Sequence, residues 1–471
     1  MKNMNCAVRL MLAASVLLVG AVWGPDALAD SQMGMKIESI ETQEEGDSVI
    51  TSGAEFVLDR KENLVICYQR IPRRREVATI RGLPLDEVKL LTRNAERCIF
   101  GLSPENALLA IGADSVLQIS LAPGENVTIT GAYAPAWRGI DGNHFLLPDA
   151  VGGVGAYLLG EGKCRPPASW ESGWTLSYEA DVASRLLITV FPPRPFDVNQ
   201  SRKTMVHTFS SKRPYPSDEE ITRWSKIGPV LTLHSWIWRG SRGSTYGIEQ
   251  DESWSTTTFV PKDEPELRRV ISTAHERGMK VIPYMSPYYF GDSRGLVGSE
   301  TMPEYLKKVQ AVLAEYGFDG VYLDGLYKND VDGSYELLRQ LRRMLGDGRI
   351  IYVHDTNMPL EKISCPFIDT YATYTLTGEH TKLTEEYARW IVSNYNLGNS
   401  VGTFCYDSTR PSAEVIDLLL CANARLPYWV QDGTWSNLKY YLEPDEVELL
   451  NREYFPRLNR DDPRAAPAEK P

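Results

Sequence analysis

Asp324 stands second to last in the run Gly317-Phe318-Asp319-Gly320-Val321-Tyr322-Leu323-Asp324-Gly325. A turn leads into a short apolar strand, and the carboxylate stands at its last position with glycine behind it. An ionised carboxylate there is costly unless it is paired or used. Where helices alternate with parallel strands, chemistry collects at the carboxyl ends of the strands. The competing roles are a cap for the next helix or a partner for an arginine. Cleaving a glycosidic bond takes two carboxyl groups, one protonating the leaving oxygen and one attacking or activating water. Glu379 in Thr377-Gly378-Glu379-His380 and Asp355 in Val353-His354-Asp355-Thr356-Asn357 could each supply the second, with Asp407 behind them. Each also has an ordinary use: Glu379 as a solvated loop residue, Asp355 as a turn former, Asp407 as a cap. Sequence does not choose between Glu379 and Asp355.

Other strand ends would share a mouth with these carboxylates. Sugar rings offer apolar faces to Trp and Tyr, while their hydroxyls seek carboxylate and imidazole partners. His234, Trp236, Trp238, Tyr284, Tyr289, Tyr327, His354, Asp407 and Trp429 are therefore read as substrate-binding. Taken singly, each aromatic would as readily fill a core. His234, His354 and Asp355 could alternatively bind a metal, but no tight ligand spacing such as His-x-His occurs, and neither metal nor cofactor is expected. The segment Asn329-Asp330-Val331-Asp332-Gly333 lacks the glutamate of a calcium loop and reads as a turn.

Elements to position this set follow from periodicity. Strands are expected at Met205–Phe209, Val230–Trp236, Lys280–Met285, Gly320–Asp324, Ile350–His354, Ile368–Tyr374, Ser400–Tyr406 and Leu426–Val430. Helices are expected at Asp218–Ile227, Glu264–Arg277, Met302–Tyr316, Ser334–Leu345, Leu383–Asn394 and Ser412–Ala424, the first opening with the capping box Ser217/Glu220. The gap between the fifth and sixth strands is short for a helix. Eight strands alternating with helices match a TIM (β/α)₈ barrel. An open doubly wound sheet is the alternative, but no glycine-rich phosphate loop follows any strand. From Met35 to Val190 short alternating runs separated by Gly, Pro, Asn and Asp point to an all-β sandwich. The chain is thus expected to be multidomain, with an N-terminal β-sandwich over 30–190, a proline-rich linker over 191–203, a barrel over 204–455 and a disordered tail over 456–471.

Lys2 and Arg9, the apolar run Leu10–Trp23 and the small-x-small site Ala27-Leu28-Ala29 predict a cleaved signal peptide over 1–29, hence a secreted or periplasmic protein. A net charge of -12 argues against nucleic acid or anionic membrane as a partner, while the aromatic and carboxylate strand ends point to a carbohydrate substrate. Export permits disulfides, and Cys67–Cys98 is the expected pair.

The run Gly317–Gly325 resembles the fourth-strand motif of glycoside hydrolase barrels akin to the α-galactosidase superfamily. His275-Glu276-Arg277-Gly278-Met279-Lys280-Val281-Ile282-Pro283-Tyr284 resembles the entry to the family's third strand. The resemblance covers about Met205 to Val430 and is specific around Asp324. It implies a barrel behind a β-sandwich, a retaining mechanism with Asp324 as nucleophile, and an acid/base from the sixth strand, which favours Glu379. The family's lysine two residues before the nucleophile is replaced by Tyr322, so the resemblance does not imply galactose.

Overall fold

The computed structural model describes residues 33–43, 45–103, 106–196, 205–240, 258–290, 301–326, 331–355, 363–379, 381–393, 397–398, 400–405, 418–419 and 421–431. The predicted signal peptide and tail lie outside the described residues. The chain divides into two compact units, Met1–Pro195 with Lys362–Thr370 and Asn396–Asn399, and Phe196–Glu361 with Tyr371–Tyr395 and Ser400–Pro471.

Among the described residues the first unit holds two eight-stranded antiparallel sheets. Strand alternation puts every second side chain inward: in Ala54–Asp59, Ala54, Phe56 and Leu58 are buried while Glu55, Val57 and Asp59 are half-buried. Ala54, Phe56 and Leu58 share one core with Phe100, Ile111, Leu117 and Ile119 of the other sheet. Cys67 and Cys98 are free thiols in that core and not the expected disulfide. They sit on strands of different sheets, Leu64–Gln69 and Arg97–Ser103. Burial raises the pKa of both, Cys98 to about 11, and so disfavours the thiolate that disulfide formation needs. The expected linker also differs at its start. Phe191 ends the strand Ser184–Phe191, and Pro192, Pro193 and Arg194 are buried. Pro193 packs so closely on Gly53 that a Cβ there would lie 2.5 Å from it.

Among the described residues the second unit carries eight parallel strands, β1 Val206–Phe209, β2 Val230–Leu233, β3 Lys280–Pro283, β4 Gly320–Asp324, β5 Ile350–His354, β6 Tyr374–Thr377, β7 Val401–Phe404 and β8 Tyr428–Gln431. They pair as two four-stranded sheets, in the orders β3-β2-β1-β8 and β4-β5-β6-β7. Single parallel bridges link Tyr284 to Tyr322 and Thr403 to Arg425. Helices Asp218–Trp224, Glu264–Glu276, Met302–Tyr316 and Val331–Leu345 alternate with the earlier strands. The capping box forms, Ser217 and Glu220 bonding reciprocally. Of the segment expected to turn, Val331 and Asp332 instead open the helix Val331–Leu345.

The sixth strand is displaced. Ile368–Tyr374 is rich in β-branched and aromatic residues, but Pro366 stands at the start of a helical turn, Pro366–Asp369, and the strand begins only at Tyr374. Proline suits the first helical position because its missing N–H would be unsatisfied there anyway. The helix expected at Leu383–Asn394 is a short turn, Glu385–Tyr387, running into a π-helical turn, Ala388–Val392. Most of the helix expected at Ser412–Ala424 lies outside the described residues.

The glycine motif explains where β4 starts. Gly317 closes the preceding helix in the left-handed conformation, φ 77°. A Cβ on Gly320 would stand 2.0 Å from the Ile350 carbonyl oxygen, so β4 and β5 approach closely only with glycine there. Between them, the Asp319 carboxylate accepts hydrogen bonds from the Val281 N–H at 2.8 Å and from His275 Nε2 at 2.8 Å. The turn is thereby tied to β3.

Candidate active site

Alternate residues of a strand share a face, so Tyr322 and Asp324 project from the same side of β4. Tyr352 and His354 lie beside them in register on β5. Tyr322 and Tyr352 form an aromatic layer, their centroids 4.8 Å apart, with the charged layer beyond it. There His354 Nδ1 lies 3.1 Å from Asp324 Oδ1 and 3.0 Å from the Tyr322 hydroxyl. Tyr284 donates its hydroxyl to Asp324 Oδ2 at 3.3 Å, and Ser286 donates to the Asp324 carbonyl at 2.6 Å. On the far side of the same imidazole, Nε2 stands 3.8 Å from Glu379 Oε2. The Asp324 and Glu379 side chains keep 21% and 26% of their exposure while the ring keeps 7%. Two accessible carboxyl groups thus flank one buried imidazole.

Electrostatics sort the titrating groups. Burial disfavours a charged His354, but hydrogen bonds to Asp324 and Cys405 and their charges outweigh it and raise its pKa well above 6.5. The shift favours the imidazolium form of His354. His234 is its opposite: burial lowers its pKa to about 3, with attraction from Asp324 opposing and the charge of His354 adding. Burial, then the charge of Asp324, raise the Tyr284 hydroxyl well above 10, so it remains a donor. Asp355 is pushed up to about 7 by burial, against the charge of His354 and the Thr377 hydrogen bond.

Of the residues singled out in the sequence, Asp324, Glu379, His354, Tyr284 and His234 come together, with the His234 and Tyr284 rings 4.7 Å apart. Asp355 does not face them. Its N–H continues the strand ladder to the Leu376 carbonyl, so alternation turns its side chain to the opposite face from His354. There its Oδ2 accepts from the Thr377 hydroxyl at 3.0 Å. Trp238 is set apart as well, and its reading as a substrate contact is corrected. It is fully buried against Phe259 and Phe318, and its indole donates to the Tyr284 carbonyl at 2.7 Å. Trp236 is half-buried beside Phe209, with the Lys262 ammonium over its ring. Tyr289 is half-buried next to Tyr288. Trp429 is buried, 4.0 Å from the ring of His207. Tyr327 and Asp407 lie outside the described residues. Among the described residues no group of three or more His, Cys, Asp or Glu is placed to hold a metal ion.

Sequence reading passed over Tyr322, Ser286 and Cys405 as site residues. For Tyr322 a signal existed: it stands two positions before Asp324, on the same face of an extended strand.

No protein-family model matches the chain, and no curated protein matches it. Solved structures do. A noncanonic maltogenic α-amylase from Thermotoga neapolitana aligns at 14% identity and TM-score 0.38, over 56% of this chain and 78% of that one. A GH31 family sulfoquinovosidase from E. rectale aligns at 10% identity and TM-score 0.39, over 89% and 74%. A GH31 dextranase from Flavobacterium johnsoniae aligns at 8% identity and TM-score 0.40, over 89% of this chain and 61% of that one. The similar structures are glycoside hydrolases, but at these TM-scores they carry no argument for what this chain does.

Proposed function

We propose that this chain is a secreted glycoside hydrolase whose eight parallel strands close into a (β/α)₈ barrel, with Asp324 and Glu379 as its catalytic carboxyl groups. The observation that carries the reading is their placement on the two nitrogens of His354, each partly exposed. In support of closure, the strands follow one another in order, and parallel bridges occur at both junctions between the two sheets. Export rests on the basic head, apolar run and small-x-small site of residues 1–29.

In a retaining reaction, Asp324 attacks the anomeric carbon while the glycosidic C–O bond breaks and the leaving oxygen takes a proton from Glu379. Glu379 then removes a proton from water, whose oxygen attacks the same carbon and releases Asp324. The Tyr284 hydroxyl and His354 N–H orient the attacking carboxylate, and half-buried Trp236 and Tyr289 offer ring faces to the sugar. One observation favours a second stereochemistry. An imidazole stands between the two carboxyls, whereas a retaining pair works at roughly 5–5.5 Å and an inverting pair at roughly 6.5–9.5 Å.

The test is hydrolysis of a panel of α- and β-aryl glycosides, with product anomers followed by NMR. Turnover with retention supports the double displacement, and first-formed inverted product supports the wider pair. Sugar binding without turnover would reassign the site to a non-catalytic glycan-binding protein.

A further inference from the structure

Four aromatic rings surround His207 on β1. Trp429 lies 4.0 Å from it by centroids, Tyr322 4.8 Å, His234 5.5 Å and Tyr352 5.8 Å. The imidazole is fully buried, and neither ring nitrogen has a hydrogen-bond partner among the described residues. Thr232 pairs with His207 in register across β1 and β2, so the two side chains share a face. Thr232 is also fully buried, and its hydroxyl likewise has no hydrogen-bond partner among the described residues.

Burial, reinforced by the neighbouring His234 and His354, lowers the pKa of His207 well below 6.5. The ring is neutral, with one donor and one acceptor nitrogen. Leaving a buried donor or acceptor unsatisfied is costly. Phenylalanine would keep the same ring contacts without that cost. The position also has a place relative to the site. Tyr322 and Tyr352, which His207 touches, precede Asp324 and His354 by two residues on their strands, roughly 7 Å toward the strand starts.

We infer that His207 and Thr232 hold an ordered internal water one layer below the Asp324–His354 pair. Water is the small neutral ligand that donates and accepts at once, and a buried water commonly bonds two to four otherwise unsatisfied polar groups. The inference stands whether or not the chain hydrolyses glycosides.

The experiment is a double-mutant cycle on the full-length protein, reading Tm for wild type, His207→Phe, Thr232→Val and the double variant. If one water bonds both residues, each single substitution lowers Tm and the double lowers it little further, because the same water is lost once. A Tm unchanged or raised in His207→Phe, or losses that add, would overturn the inference. Because a ring change in a packed layer can itself strain the fold, a high-resolution crystal structure of the wild type provides an independent reading. It should show a water within about 3 Å of a His207 nitrogen and of the Thr232 hydroxyl; an empty site would refute it.

Discussion

Asp355→Asn should stabilise the protein at neutral and alkaline pH, although it removes a side chain next to the proposed site. The carboxyl is buried, its Oδ1 has no hydrogen-bond partner among the described residues, and burial raises its pKa from 3.8 to about 7. A shift of that size corresponds to roughly 4 kcal/mol of preference for the neutral acid in the folded state. Because the folded pKa lies above the unfolded one, the penalty is absent below about pH 4, grows as pH rises toward 7 and is constant above. Asparagine stands in for the neutral acid at every pH. Relative to wild type, the variant should therefore gain up to about 4 kcal/mol between pH 4 and pH 8. With a urea dependence of roughly 3 kcal/mol per molar, the midpoint would rise by about 1 M at pH 8. The assay is urea unfolding of both proteins from pH 4 to 8, followed by tryptophan fluorescence. A difference that does not change with pH would refute the reasoning. Since the side chain faces away from Asp324, glycosidase activity should persist in Asp355→Asn, and its loss would return Asp355 to the catalytic pair.

Three further outcomes are expected. Glu379→Gln should cut turnover of substrates with poor leaving groups by about 10²–10⁴-fold while sparing activated aryl glycosides; equal losses on both would remove Glu379 as the acid. His354→Gln should lower kcat/KM by about 10²-fold or more, since it removes the cation held between the carboxyls. The raised pKa of His354 makes its ion-pair contribution full below pH 6.5 and lost as pH climbs through the folded value. The stability gap between wild type and His354→Gln should therefore narrow on the alkaline side, and a gap that widens in unfolding measurements from pH 6 to 10 would contradict the pairing. Trp238→Phe should cost about 1–3 kcal/mol, because the Tyr284 carbonyl loses its donor, with KM unchanged; a KM increase would place Trp238 in the cleft after all.

Where the fold was legible, local chemistry was decisive. The glycines of the Asp324 motif, the capping box at Ser217 and the alternation of the N-terminal strands each point to one backbone conformation. Ile368–Tyr374 misled because its β-branched and aromatic residues suit a strand as well as they suit a buried helical turn opened by Pro366. Trp238 misled for a different reason. Nothing in a sequence distinguishes a tryptophan whose N–H meets a backbone carbonyl from one that lines a cleft. Asp355 could not be set below Glu379 because neighbouring residues at a strand end face opposite ways, and one residue of uncertainty in the boundary exchanges Asp355 with His354. Tyr322 shows the reverse case. Its period-two relation to Asp324 was present in the sequence, but a strand tyrosine is ordinarily core, and only its hydroxyl 3.0 Å from His354 Nδ1 ties it to the site.

The most direct test compares purified wild type with Asp324→Asn on the aryl glycoside panel, each protein checked for intact fold by circular dichroism. The account predicts measurable hydrolysis by the wild type and a loss of at least about 10³-fold in the variant, with sugar binding retained. A variant that hydrolyses as fast as the wild type would contradict the central claim.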